Sequence, residues 1–359
     1  LSDNLVAVQH HRLAFAGSEF RIALSNEYGR APVTLSVEID TRPPQHVHFD
    51  GAEKVTLAPG ELAWSDRVTP HVDRNDTVAI GVRAHGSTEL ATYNPSMTHR
   101  TLLTPATRRD TALPRHTRTL TTQLYVAGID VLTPDTAPLT VALGDSVSAG
   151  YGSTVHGFPG VLAYRHGYAI LNLGIAGNRL TADEIGPALQ SRTARDALEA
   201  RPDRVVVQIG INDLAATHPG AVLDANDGVV LAERILETAA AISCAGPDVV
   251  VATLPPCDTS MDPQFSRPGL REARTAVNQV LVASDFDVAP IHEVLEHPET
   301  PGVLAPEFDC GDGIHANDAG ASAIADLLAD MIGQTPETLV HSARPFHGGV
   351  SGRTVTTPG

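Results

Sequence analysis

At 359 residues the chain is long enough for two domains, and an apolar fraction of 42% can bury a sizeable core, so wholesale disorder is excluded. The formal net charge of −17 argues against nucleic acid or an anionic membrane as a partner, because both select basic surfaces. No apolar run approaches the length of a membrane span.

Residues 1–132 read as β-structure. Phe20, Ile22 and Leu24 alternate with other residues in Glu19–Ser25, the period of a half-buried strand. Val33, Leu35, Val37 and Ile39 repeat the pattern, as do Val78, Ile80 and Val82, and Leu124 with Val126. Turn material separates the runs at 26–29, 42–44, 59–60 and 75–76. Short strands at this spacing predict a sandwich. The stretch from His99 to His116 is irregular and reads as a long surface loop. Trp64 is expected in the sandwich core, with Trp64 and Tyr93 as an alternative carbohydrate platform. His46 and His48 share a strand face and read as surface histidines, since no carboxylate or cysteine motif accompanies them.

Residues 133–138 read as a linker, and beyond them the pattern changes. Single apolar runs at Leu139–Leu143, Tyr168–Leu173, Val205–Ile209, Val249–Leu254 and Phe286–Pro290 predict buried strands. Helical stretches intervene. Leu231, Ile235 and Ile242 share a face, as do Val277, Val280 and Leu281, and then Ile324, Leu327, Leu328 and Met331. Strand–helix alternation over 139–333 predicts a parallel sheet covered on both faces. Residues 334–359 hold few apolar positions and read as a C-terminal tail.

The chemistry-bearing pieces are Gly144-Asp145-Ser146, Gly174-Ile175-Ala176-Gly177-Asn178, Gly210-Ile211-Asn212-Asp213 and Asp312-Gly313-Ile314-His315. Ser146 follows an apolar run and so falls at the carboxyl end of a strand, where open α/β sheets place their sites. A serine hydroxyl needs a base, and His315 is the candidate. Asp312, three residues earlier, can turn back onto one imidazole nitrogen and leave the other for Ser146. Asn317 or Asp318 is available to cap the helix that follows. The Ser146 and Gly177 backbone N–H groups and the Asn212 amide are candidate oxyanion donors. Taken singly, each piece also reads as an ordinary turn or helix cap.

Together, in this order, the four pieces resemble the blocks of the SGNH (GDSL-type) hydrolase superfamily, falling on Ser146, Gly177, Asn212 and His315 with Asp312 as partner. The resemblance covers roughly residues 139–333. Val147-Ser148 follows the nucleophile where many members have Ile-Thr. The resemblance implies a flavodoxin-like three-layer α/β/α domain, with no metal and no cofactor. The segment 21–29 resembles the β-sandwich that precedes this domain in a bacterial subset. The implied activity is serine-dependent acyl transfer, with carboxylic-ester hydrolysis of a small-molecule substrate the commonest outcome. The superfamily also contains acyltransferases that move an acyl group from a thioester or ester donor to a hydroxyl of a natural product. A third reading is a carbohydrate-binding protein with a decayed hydrolase domain, and the intact residue set counts against it.

Cys244, Cys257 and Cys310 fit neither a disulfide framework nor a zinc motif. Cys244 closes an apolar helical pattern and is expected to be buried. A Cys257–Cys310 bridge is left open. Unpaired cysteines and the lack of a signal-like start at Leu1–Asn4 favour a cytoplasmic location, although the missing initiator Met also suits a trimmed leader.

Overall fold

The computed structural model describes residues 5–41, 43–69, 71–86, 92–94, 101–105, 118–133, 137–216, 222–333 and 353–357. They fall into two compact units, Leu1–Thr136 with Arg353–Gly359, and Ala137–Gly352.

In the first unit the period-two patterns become antiparallel strands. They are β1 (Leu5–Arg12), β2 (Glu19–Ser25), β3 (Val33–Ile39), β4 (Gln45–Val47), β5 (Val55–Leu57) and β6 (Leu62–Trp64). β7 (Thr77–His85), β8 (Tyr93–Asn94), β9 (Thr101–Pro105), β10 (Arg118–Leu120), β11 (Gln123–Leu124) and β12 (Val126–Thr133) follow. One sheet runs β10-β9-β1-β7-β3-β4, with β5 also on β3. A second runs from Arg353–Thr357 through β12 and β2 to β6, and β11 pairs with β8 in a separate two-stranded ladder. Alternate residues of β3 are buried. Ala7, Val37, Ile80 and Val82 from the first sheet join Phe20, Ile22, Ile129 and Val131 from the second in one apolar cluster. Burying each Val, Leu, Ile or Phe contributes roughly 1.5–3 kcal/mol. That shared core makes the unit a sandwich.

Three expectations for this unit change. Trp64 is half-buried, because β6 is an edge strand, and the Arg21 guanidinium lies 4.4 Å from its ring centroid. The loop expected over 99–116 contains β9; residues 99–100 and 106–116 lie outside the described residues. Part of the tail over 334–359 pairs with β12, from Ile129–Thr357 to Thr133–Arg353. Of the linker, Thr133 ends β12 and residues 134–136 lie outside the described residues.

The second unit holds five parallel strands: β13 (Leu139–Gly144), β14 (Ala169–Gly174), β15 (Arg204–Gln208), β16 (Asp248–Ala252) and β17 (Asp287–Ala289). Their order is β14-β13-β15-β16-β17. This is the flavodoxin-like order, whose chain direction reverses beside the first strand, and ligands bind outside that switch point. β13 is the first strand here, and it leads directly into Ser146. β15 is buried along its whole length, as a central strand covered on both faces must be.

The helices are α1 (Ser146–Ala149), α2 (Gly157–Val161), α3 (Leu189–Thr193), α4 (Ile211–Ala215), α5 (Ala225–Cys244), α6 (Leu270–Val282), α7 (Ile291–Leu295) and α8 (Asp318–Gly333). α5 packs on α6, while α8 packs on α2 and α7, giving the two outer layers of an α/β/α domain. Leu231, Ile235 and Ile242 are buried on α5 as their spacing predicts. Asp224 and Asp227 close a capping box at its start. Cys244 is exposed, contrary to expectation. It lies two residues past Ile242, about 200° around the helix, and so on the opposite side. On α8 the small residues Ala321 and Ala325 are buried with Ile324 and Leu328, while Leu327 and Met331 are half-buried. The three cysteines are free, so Cys257 and Cys310 do not pair.

Candidate active site

The turn after β13 is forced into a narrow shape. A Cβ on Gly144 would stand 2.1 Å from the Gln208 carbonyl oxygen of β15 and 2.4 Å from Ser148 Oγ, so only glycine fits. Asp145 caps α1 by accepting the Val147 N–H at 3.0 Å. Ser146 is the first residue of that helix and is largely buried.

His315 Nε2 lies 2.9 Å from Ser146 Oγ. Its Nδ1 lies 2.6 Å from Asp312 Oδ2. The other Asp312 oxygen accepts the backbone N–H groups of Ile314 at 3.0 Å and His315 at 2.9 Å. Burial raises the Asp312 pKa, but hydrogen bonds from the His315 side chain and backbone outweigh it and hold the carboxyl well below the usual carboxylate range. Asp312 is therefore an anion throughout the neutral range, suited to keep a proton on Nδ1 and leave Nε2 free to accept one from serine. Asn317 Oδ1 accepts the N–H groups of Ala319 and Gly320, so Asn317 is the cap of α8. Asp318 instead accepts from Ser153 Oγ at 2.9 Å and from the Thr154 backbone and hydroxyl. This fastens the segment after Ser146 to the segment after His315.

The structure joins Gly177 and Asn212 through the residue between them in space, Asn178. Gly177 has φ +79°, and a Cβ there would meet Ile185 Cδ1 at 2.6 Å. Asn178 is fully buried. Its Nδ2 donates to the Ile185 and Pro187 carbonyls at 3.2 and 2.8 Å. Its own carbonyl accepts from Asn212 Nδ2 at 3.0 Å. A primary amide carries two hydrogens, so that bond leaves one of them unspent. Asp213 accepts the Leu180 N–H with both carboxylate oxygens, at 2.9 and 3.0 Å, and so ties down the same loop.

Sequence reasoning missed several neighbours. The Tyr151 ring stands 4.5 Å from the His315 ring at 50°, and its N–H donates to the Ser146 carbonyl at 2.9 Å. An aromatic residue five positions after Ser146 is the signal that could have pointed there. Arg192 is buried to 2% exposure and bonds to both Gly144 and Asn178. Nothing local in the sequence marks it. Among the described residues, Asp309, Cys310 and Asp312 bring metal-ligand atoms within 4.8 Å of one another. The Asp309 carboxylate is taken up by the N–H groups of Gly311, Asp312 and Gly313, and Asp312 by His315, so these carboxylates serve the loop. Burial is the main cause that pushes the Cys310 thiol up to about 11.

The fold agrees with the family model that matches the chain. The model of the GDSL-like Lipase/Acylhydrolase family matches residues 142–323, just over half of the chain, and the chain belongs to that family. No curated protein sequence matches it. Similar solved structures include a GDSL-like lipase from Bacteroides thetaiotaomicron, at 16% identity and TM-score 0.44, covering 55% of this chain and 88% of the other. The lipase/acylhydrolase from Enterococcus faecalis is 21% identical with TM-score 0.40, covering 54% and 95%. The acetyl xylan esterase AlAXEase is 20% identical with TM-score 0.41, covering 54% and 99%.

Proposed function

We propose that the protein hydrolyses carboxylic esters through an acyl–Ser146 intermediate. The observation that supports this reading is the continuous relay Ser146 Oγ, His315 Nε2, His315 Nδ1, Asp312 Oδ2, with links of 2.9 and 2.6 Å. Ser146 Oγ attacks the acyl carbon while His315 Nε2 takes its proton. The oxyanion receives the Ser146 and Gly177 N–H groups and the Asn212 amide hydrogen that Asn178 leaves unspent. As the tetrahedral adduct collapses, the bond to the leaving oxygen breaks and His315 returns the proton to it. Water then attacks the acyl–enzyme, His315 again acts as base, and the free acid and Ser146 are regenerated. Asp312 stays ionised and holds the imidazole in the tautomer that both steps need.

The test is labelling with a fluorophosphonate together with product analysis on an activated ester. Wild type is labelled at Ser146. Ser146→Ala is not labelled and loses about 10⁶ in kcat, the scale seen when a triad serine is removed. Equal labelling of a different serine in the variant would end the nucleophile assignment. With an alcohol added, free acid remains the main product; an ester of that alcohol as the main product would identify a transferase.

A further inference from the structure

We propose that Arg192 is the positioning residue of the oxyanion side of this site. It fixes the loop after β14 against the nucleophile turn after β13. The inference rests on the reading of Ser146, Gly177 and Asn212 given above.

Arg192 lies on α3, 46 positions beyond Ser146 in the sequence, and its side chain is almost wholly buried. Burying a guanidinium costs several kcal/mol unless the charge is paired and its donors are met. Here Nη1 reaches Asp196 Oδ2 at 3.1 Å and the Leu173 carbonyl at 2.7 Å. Nη2 donates to the Gly144 carbonyl at 3.0 Å and to Asn178 Oδ1 at 2.9 Å, and Nε donates to the same Asn178 oxygen at 3.1 Å. Apart from Asp196, four residues further along the same helical stretch, the acceptors come from three separate places. Gly144 is two residues before Ser146, Leu173 is the penultimate residue of β14, and Asn178 follows Gly177.

A bracing role alone does not require this choice of contacts. An apolar side chain of similar length fills the same space without the desolvation cost. The guanidinium spends three of its five N–H donors on the carbonyl two residues before Ser146 and on the Asn178 side chain, beside the candidate oxyanion glycine. Asn178 passes the constraint on, because its carbonyl orients Asn212 Nδ2. One planar fork thus sets the separation among all three oxyanion donors. Electrostatic stabilisation depends on donors standing about 2.7–3.1 Å from the developing charge, so a loop free to drift loses it. Lysine keeps the charge but presents a single point with no fixed fork, and cannot hold the three segments at once.

The experiment compares wild type, Arg192→Lys, Asn178→Ala and the double variant in the full chain. Each is first checked for a cooperative melt, and wild type for fluorophosphonate labelling at Ser146. Either single variant is expected to lose about 10²–10³ in kcat, the scale of one lost oxyanion donor. KM on the activated ester stays nearly constant, and affinity for a boronic acid that mimics the tetrahedral adduct falls in parallel. The acid limb of the pH profile keeps its place, because the Asp312–His315 pair is untouched. The double variant loses clearly less than the product of the two single losses, since both cut the Arg192–Asn178 link. Wild-type kcat in a folded Arg192→Lys protein, or losses that multiply in the double variant, would overturn the proposal. So would the failure of both single variants to fold, which assigns Arg192 to stability alone. If wild type is not labelled at Ser146, the proposed function falls first and this inference with it.

Discussion

Asn212 has two amide hydrogens and is seen to use one, on the Asn178 carbonyl. Asn212→Ala is therefore expected to lower kcat by about 10²–10³ with little change in KM, because the second hydrogen acts mainly in the transition state. Steady-state kinetics on an activated ester decides this, and an unchanged kcat would return Asn212 to a purely structural part. Asp145 offers a different test. It is wholly buried, its Oδ1 caps α1, and its Oδ2 has no hydrogen-bond partner among the described residues. Burial pushes this carboxyl up to about 7 against the pull of the Val147 N–H and the charges of His315 and Arg192. In the unfolded chain it ionises near 3.9. The folded state therefore binds this proton more tightly, and the benefit is lost as pH rises from about 4 to 7, costing about 4 kcal/mol above that range. Asp145→Asn keeps an oxygen for the cap and removes the titration. Its stability relative to wild type should improve by a few kcal/mol between pH 5 and pH 8. Denaturant melts at the two pH values measure it, and parallel behaviour of the two proteins would show that Asp145 is not the titrating group. Ser146, Asp312 and His315 were legible in the sequence because each sits in a short block whose spacing dictates its geometry. Arg192 and Asn178 were not, because their meaning lies in bonds between residues 14 and 48 positions apart.

At the level of elements, β13 to β17 match the apolar runs to within two residues at each end, since a central parallel strand must be apolar on both faces. The helices were less legible. α2 and α3 each run on into a π-helical turn, at Leu162–His166 and Ala194–Leu198, and α2 contains Gly157, Pro159 and Gly160. Such sequences carry weak helical propensity and are held by packing. The loop from β14 shows what an element can impose on a residue. It turns at Gly177 through a left-handed backbone, with Ile185 packed where a side chain would go. Gly177→Ala is expected to cost about 1–2 kcal/mol in stability from the backbone alone. Its kcat should fall further than Ile185→Ala does, because the substituted loop misplaces the N–H beside Asn178. A Gly177→Ala protein with full kcat would show that this N–H is not an oxyanion donor.

Over the whole molecule the division into two units was written in the change of period, from two in the first part to strand–helix alternation in the second. The return of Arg353–Thr357 to the sandwich was not. A five-residue segment of Arg, Thr and Val reads as tail until β12, 220 or more positions earlier, supplies the ladder that makes it a strand. Each unit has its own apolar core, one through Ile22, Leu35 and Ile80 and the other through Val141, Val205 and Leu281. A unit with its own core and no shared strand is expected to fold by itself. Every residue placed in the candidate site, from Gly144 to His315, belongs to the second unit. Residues 137–333 expressed alone should therefore melt cooperatively, label at Ser146 and turn over a minimal activated ester at the rate of the full chain. Comparing that fragment with the full chain on larger esters then reports what the sandwich adds, since a selective loss on large substrates assigns it to substrate binding and equal rates assign it elsewhere. A fragment that melts cooperatively yet fails to label would place a required group in the first unit, and the site as described would be incomplete.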